Sequence, residues 1–320
     1  MTEIGYKLIC EEHGPNELVD YATLAEQSAF EFAMISDHFH PWTSTQGESP
    51  FAWNVIGAIA QATTDLRLGT AITCPIIRYH PAIIAQAAAT AGVQLPGRFF
   101  LGVGTGEQLS EHILGDRWPE HEIRLEMLRE AVDVIRTLWE GTTTSYHGDY
   151  YTVENARIYT LPDDLPPIHV AADGPKTAQA AGDIGDGLVA VRPDDTLVDS
   201  FETDENETAD APRYAELDIC YAEDEQEAIE TAHEIWPQAA LPGKLMWELA
   251  TPAHFEQATE AVTADEIAER VVCGPDPEAH ISAIQEYVDA GFDHVTIHQI
   301  GPNQAEFVEF YENEVIPAIE

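Results

Sequence analysis

Lysine is nearly missing from this chain of 320 residues; it occurs only as Lys7, Lys176 and Lys244. All basic side chains together number 14 against 58 Asp and Glu, a formal net charge of −44 at pH 7. A surface so negative repels phosphate backbones and anionic lipid headgroups, which excludes nucleic acid and membranes as general partners. The acid is spread along the whole chain, with no run long enough to be a tail. That distribution fits adaptation to molar salt, where the Debye length falls to about 3 Å and self-repulsion is screened. The charge points to a halophile's cytoplasm and carries little information about chemistry.

Cysteine is scarce as well. Cys10, Cys74, Cys220 and Cys273 include no pair at metal-ligand or C-x-x-C spacing, so buried reduced thiols are expected and no metal site. No apolar run reaches 18 residues, and the N-terminus enters a strand pattern directly rather than a signal peptide. A cytoplasmic enzyme is the expectation. What the chain does have is apolar material, 44% hydrophobic and 9% aromatic, enough for a full core.

That material is arranged as short β-rich runs alternating with longer helical patterns. Strands are expected at Ile4–Cys10, Phe32–Ser36, Leu66–Ile72, Arg98–Val103, Ile168–Ala172, Gly187–Val191, Ala215–Tyr221 and His294–Gln299. Helices are expected at Glu17–Ser28, Phe51–Thr63, Ala82–Gln94, Glu122–Trp139, Lys176–Gly182, near 195–205, at Glu225–Trp236 and at Gln304–Ile319. Two further helical patterns, Ala264–Val271 and Pro277–Ala290, precede the last strand. Eight such units imply an α/β fold closed into a (β/α)8 TIM barrel, a single domain over 1–320, with an open doubly wound sheet as the competitor. Two insertions interrupt the rhythm: an aromatic, hairpin-like stretch at about 142–164 and a lid-like stretch at about 240–260.

In such a barrel the chemistry sits after the carboxyl ends of the strands. Glu11 follows the first strand. Ser36-Asp37-His38-Phe39-His40-Pro41-Trp42 follows the second, and His38 there is a natural general base near neutral pH. Gly102-Val103-Gly104-Thr105-Gly106-Glu107 follows the fourth. Its G-x-G-x-G spacing departs from the dinucleotide G-x-G-x-x-G, which rejects a nicotinamide site; Gly104 and Gly106 would instead let backbone approach a flat ligand, with Glu107 a candidate acid. Asp173-Gly174-Pro175-Lys176-Thr177 follows the fifth and opens a helix, an anion-binding arrangement that retains one of the three lysines.

Taken together, GYKLICEEHGP (Gly5–Pro15), SDHFHPW (Ser36–Trp42), LGTAITCPIIRYHPAIIAQA (Leu68–Ala87), GVGTGE (Gly102–Glu107), GDYYTVENARIYTLPDD (Gly148–Asp164), ADGPKTAQAAGDIGDG (Ala172–Gly187) and VTIHQIGP (Val295–Pro302) resemble the coenzyme F420-dependent branch of the luciferase-like superfamily. The likeness is to the groups that oxidise glucose 6-phosphate and secondary alcohols. It implies a deazaflavin at the barrel mouth, contacted by Asp37, with a non-prolyl cis peptide at Ala71–Ile72 behind the ring and the cofactor phosphate at Asp173, Gly174, Pro175, Lys176 and Thr177; the family carries a small residue where this chain has Asp173. His38, Trp42, Glu11 and Glu107 fall on the family's catalytic positions. The resemblance implies that His38 or Glu11 takes the hydroxyl proton as hydride leaves an alcohol carbon. Of three basic anchors for a sugar phosphate, only Arg270 is matched; Met246 stands at another, beside Lys244, and Arg192–Asp194 replaces the third, so a neutral alcohol or sugar is expected. An FMN-dependent monooxygenase and an F420-dependent methylenetetrahydropterin reductase are the alternative activities, and a homodimer is implied by the family alone.

Overall fold

The computed structural model describes residues 2–202 and 210–319. Its strands are β1 (Glu3–Leu8), β2 (Phe32–Ile35), β3 (Arg67–Thr70), β4 (Phe99–Val103), β5 (Thr144–His147), β6 (Thr152–Ala156), β7 (Ile168–Ala171), β8 (Gly187–Ala190), β9 (Arg213–Cys220), β10 (Val272–Cys273) and β11 (His294–Gln299). Eight of them run parallel in the order β9-β11-β1-β2-β3-β4-β7-β8, and pairing of β8 with β9 (Leu188 opposite Arg213) closes the barrel. These are the eight expected strands, each within two residues of the expected bounds. β5 and β6 form the expected antiparallel hairpin within 142–164.

The short strands are buried on both faces, as parallel barrel strands must be. Leu8, Ile35, Leu68, Leu101 and Val170 point outward against the helical ring. Phe32, Met34, Phe100, Val189 and Tyr214 point inward. Phe100, His169 and Tyr214 stack with ring centroids 4.9 to 5.0 Å apart. This aromatic layer fills the barrel's amino-terminal half and leaves its carboxyl end as the place for a ligand.

The helices follow expectation with some differences: the one expected over Ala264–Val271 ends at Ala268, and a further short helix forms at Gln108–Glu111. The pattern near 195–205 forms a helix at Asp195–Phe201, and residues 203–205 lie outside the described residues. The terminal helix, expected over Gln304–Ile319, ends as an α-helix at Phe310 and continues through π and 3-10 turns to Ala318, where Pro317 has no amide hydrogen to continue the ladder. The insertion near 240–260 carries helices at Leu245–Glu248 and Pro252–Thr259, and β10 after it pairs with the end of β9 in a two-residue strand too short for its pattern to be read.

Candidate active site

The turns that leave β1, β2 and β4 bring three side chains together. His38 stands between two carboxylates: its Nδ1 lies 2.7 Å from Glu11 Oε1 and its Nε2 lies 3.1 Å from Glu107 Oε2. Its ring meets the Trp42 indole edge-on, centroids 4.9 Å apart at 70°. Glu11 is buried, and its second oxygen accepts from Ser36 Oγ at 2.6 Å. Ser36 Oγ in turn accepts from the Cys10 amide, so β1 and β2 fix the pair from below.

Burial alone would favour neutral forms of both partners. For His38 the two carboxylates outweigh it and hold the imidazole protonated well above the ordinary histidine value. For Glu11, His38 and the Ser36 hydroxyl outweigh it and bring the carboxyl down to about 2. Neither ring contact is a well-directed hydrogen bond: His38 Nδ1 and Glu107 Oε2 are buried without an aligned partner. Contacts of this kind tighten when a ligand completes the site.

Asp37 carries no vacant oxygen. Thr73 Oγ1 donates to Oδ2 at 2.7 Å, and Tyr79 Oη and Arg78 Nη2 donate to Oδ1 at 3.0 and 3.1 Å. The Ala71–Ile72 peptide is cis, and Lys7, buried inside the barrel, donates to the Ala71 carbonyl at 2.9 Å while pairing with Glu216. The room that a side chain at the G-x-G-x-G glycines would need is taken by the chain itself. A Cβ at Gly102 would lie 2.0 Å from the Thr70 carbonyl oxygen, and one at Gly104 would lie 3.0 Å from Ile72 Cγ2. Gly106 adopts φ +77° beside Glu111 and Cys74.

A cavity of about 600 Å³ opens beside the Asp173–Thr177 turn, lined among others by Arg124, Gly174, Lys176, Thr177, Lys244 and Trp247. Two of the chain's three lysines therefore face one pocket. Pro175, which has no amide hydrogen, starts the helix Pro175–Ile184; the Thr177 and Ala178 amides donate to the Gly174 carbonyl at 3.1 and 3.0 Å, which leaves the Lys176 amide at the helix start. Arg124 is buried with its Nε unpartnered, its guanidinium 4.0 Å from the Trp118 ring. At Gly174 a Cβ would meet nothing within 4 Å, so this glycine leaves space facing the cavity rather than space for the chain.

Of the three basic residues expected at the substrate, two stand on the Asp173–Thr177 side and one at the surface. Lys244 lines the cavity with Lys176, and Arg192 Nη2 donates to the Asp173 carbonyl at 2.5 Å, so both belong to the Asp173–Thr177 side. Arg270 is exposed, just beyond the helix Ala264–Ala268 and near Glu266. Trp42 packs instead on Phe255 of the insertion, centroids 5.1 Å apart, in a cluster that Met246 and Leu249 join.

A second charged cluster escaped the sequence reading. His298 is fully buried, with Nδ1 2.8 Å from Asp218 Oδ1 and Nε2 3.1 Å from Glu12 Oε1. Burial opposes its charge, but the two carboxylates push it up to about 10. The available signal was the alternation of β11, which puts His294, Thr296 and His298 on one face; among 58 acids, Asp218 and Glu12 had nothing to mark them.

The chain is 35% identical over 325 residues to an F420-dependent glucose-6-phosphate dehydrogenase of Microbacterium testaceum, covering 98% of this chain and 96% of the relative. It is 36% identical over 329 residues to the enzyme of the same name from Nocardia farcinica, covering 99% and 98%. Among solved structures, an F420-dependent secondary alcohol dehydrogenase in complex with an F420-acetone adduct superposes with a TM-score of 0.91 at 31% identity, covering 100% of this chain and 99% of that one. The pattern of one family, the luciferase-like monooxygenases, matches residues 3–294, and the chain belongs to that family.

Proposed function

We propose that this chain is a coenzyme F420-dependent dehydrogenase acting on an alcohol or sugar. The observation that carries the proposal is His38 held between Glu11 and Glu107 against Trp42. The names of the relatives support the deazaflavin over the FMN-dependent and pterin-reducing alternatives. The residues present fit the cofactor: Gly174 leaves its side of the cavity open, the Lys176 amide faces the start of the helix, and Lys244, the orphaned Arg124 Nε and Lys176, which pairs with Glu122 at the rim, supply positive charge for an anionic group. When bound, the deazaflavin accepts hydride from the alcohol carbon.

The chain's own part is proton management. Alcohol oxidation releases one hydride and one proton, and His38 takes the hydroxyl proton. Glu11 and Glu107 strengthen His38 as a base and stabilise the imidazolium that results. The same carboxylates favour the imidazolium in the resting site, so oxidation gains as pH rises, while carbonyl reduction is served by the imidazolium as an acid. A carboxyl at about 2 is a weak base, which favours His38 over Glu11 in this role. Glu107 orients Nε2 or assists protonation of the reduced cofactor, and Trp42 walls the pocket.

For the substrate we propose a neutral alcohol or free sugar. The wall around Trp42 is apolar, through Phe255, Met246 and Leu249. Lys244 and Arg192 lie on the Asp173–Thr177 side, and a buried phosphate without cations is costly. The acidic composition supports a high-salt cytoplasm as the setting. We also propose a homodimer, supported by a groove lined by Trp53, Ile56, Ile83, Ala87 and Ala91 in which Ile83 is 58% exposed. Calorimetric titration at molar KCl with coenzyme F420 and with FMN tests the cofactor: tighter F420 binding is expected, and tighter FMN binding would refute the reading.

A further inference from the structure

Arg78 is one of 14 basic residues in the chain, yet it is spent on a buried position, with a side chain 6% exposed. It follows β3 and touches two other loops. Toward the loop after β2, Nη2 donates to the Asp37 carbonyl at 2.6 Å and to Asp37 Oδ1 at 3.1 Å. The first of these acceptors is the carbonyl of the peptide that leads into His38. Toward the segment after β4, the Arg78 amide donates to Glu111 Oε2 at 2.7 Å, and Nε lies 3.5 Å from Glu111 Oε1. Glu111 sits in the short helix that starts directly after Glu107, and its amide donates to the Glu107 carbonyl at 3.1 Å. Tyr79 completes the unit: its hydroxyl accepts from Arg78 Nη1 and donates to Asp37 Oδ1, and its ring lies 4.3 Å from the guanidinium.

Arg78 therefore ties the residue before His38, held by its guanidinium, to the turn that carries Glu107, held through its backbone amide and the charge of its Nε 3.5 Å from Glu111. We infer that Arg78 is a positioning residue of the active site, setting the distance between His38 Nε2 and the Glu107 carboxylate by clamping the loop after β2 to the loop after β4. The planar fork matters as well as the charge. Asp37 is approached through its backbone and side chain at once by Nη2 while Nη1 donates to the Tyr79 hydroxyl, and a lysine ammonium cannot reproduce that set of directions. Asp37 and Glu111 are both buried, and the cation between them offsets part of their repulsion. Burial still pushes the Glu111 carboxyl up to about 7, which fits two acids sharing one cation.

The inference rests on the proposed role of His38, and it is tested with a readout that needs neither cofactor nor substrate. Two variants are made in the full chain: R78K, which keeps the charge and loses the fork, and R78M combined with E111Q, which removes the cation together with one acid it serves. His38 is titrated by NMR in the ligand-free protein, and kcat, KM and deazaflavin Kd are measured alongside. The expected result is a His38 titration displaced downward toward the ordinary value, a kcat lower by about 10- to 100-fold, and KM and Kd close to those of the unaltered protein. An unmoved His38 titration in a folded variant would overturn the inference, whatever happens to kcat. Loss of folding in both variants would also overturn it, by assigning Arg78 to stability. If the unaltered protein shows no turnover, the dehydrogenase reading fails, and the titration still decides the clamp.

Discussion

Glu11 and Glu12 are consecutive in the chain, yet each clasps a different histidine, Glu11 at 2.7 Å from His38 and Glu12 at 3.1 Å from His298. Each imidazole also meets a tryptophan edge-on at 70°, Trp42 for His38 and Trp236 for His298. Both sets hold a protonated histidine against the cost of burial, but His38 keeps 12% side-chain exposure and His298 none. NMR titration of the 13 histidines is expected to show His38 displaced well upward from its ordinary value, His298 titrating near 10 and His169 neutral down to about 3. A His38 that titrates near or below its ordinary value would remove the electrostatic basis of the site.

His38→Ala removes the proton acceptor without touching the Asp173–Thr177 turn. Turnover is expected to fall by about 10²–10⁴-fold, the usual contribution of general base catalysis. Deazaflavin affinity, read by calorimetry, is expected to stay close to that of the unaltered protein. Full turnover in this variant would assign the base to another group, with Glu11 first in line.

The coupling of Glu11 and His38 has a defined pH signature. Glu11, with its carboxyl lowered to about 2, contributes stability above its unfolded value and loses it as pH falls through 2. His38, raised, contributes fully below its unfolded value of about 6.5 and loses it as pH climbs through the folded value. The difference in Tm between the unaltered protein and Glu11→Gln is therefore largest between about pH 4.5 and 6.5 and shrinks on both sides. A difference that is flat with pH would show that the pair is not ionised as described.

Two glycines separate ligand space from chain space. Gly174 has extended backbone, and a side chain there would enter the open cavity, so Gly174→Val is expected to keep Tm and weaken coenzyme F420 binding. Gly102→Ala would press a methyl group against the Thr70 carbonyl oxygen and is expected to lower Tm. Thermal melts and calorimetry on the two variants check both outcomes; unchanged F420 affinity in Gly174→Val would move the anionic group elsewhere.

The barrel was legible because each parallel strand is a short, continuously apolar run closed by a turn. FAMI and FFLGV, buried throughout, are such runs. Polar residues directly after those runs marked Glu11, His38 and Glu107 by position alone. Arg78 and Glu111 were illegible for a different reason: their partners lie 33 to 41 positions away, and no local pattern distinguishes a clamping arginine from a surface one. The surroundings of Lys244 and Arg192 were illegible for the same reason, since only the packed insertion and the β8 turn decide which side of the mouth they reach. Acidity hid the rest, because in a chain with 58 carboxylates Asp218 and Glu12 look like solvated surface.

Anaerobic mixing of the protein with coenzyme F420 and a substrate panel at molar KCl tests the central claim most directly. The panel is 2-propanol, glucose and glucose 6-phosphate, and the signal is loss of the visible absorbance of the oxidised deazaflavin. The account predicts reduction by a neutral alcohol or free sugar with kcat/KM above that for glucose 6-phosphate, and little reduction in His38→Ala. No reduction by any alcohol, sugar or sugar phosphate would contradict the dehydrogenase reading, and preference for glucose 6-phosphate by about tenfold or more, some 1.4 kcal/mol, would contradict the neutral substrate.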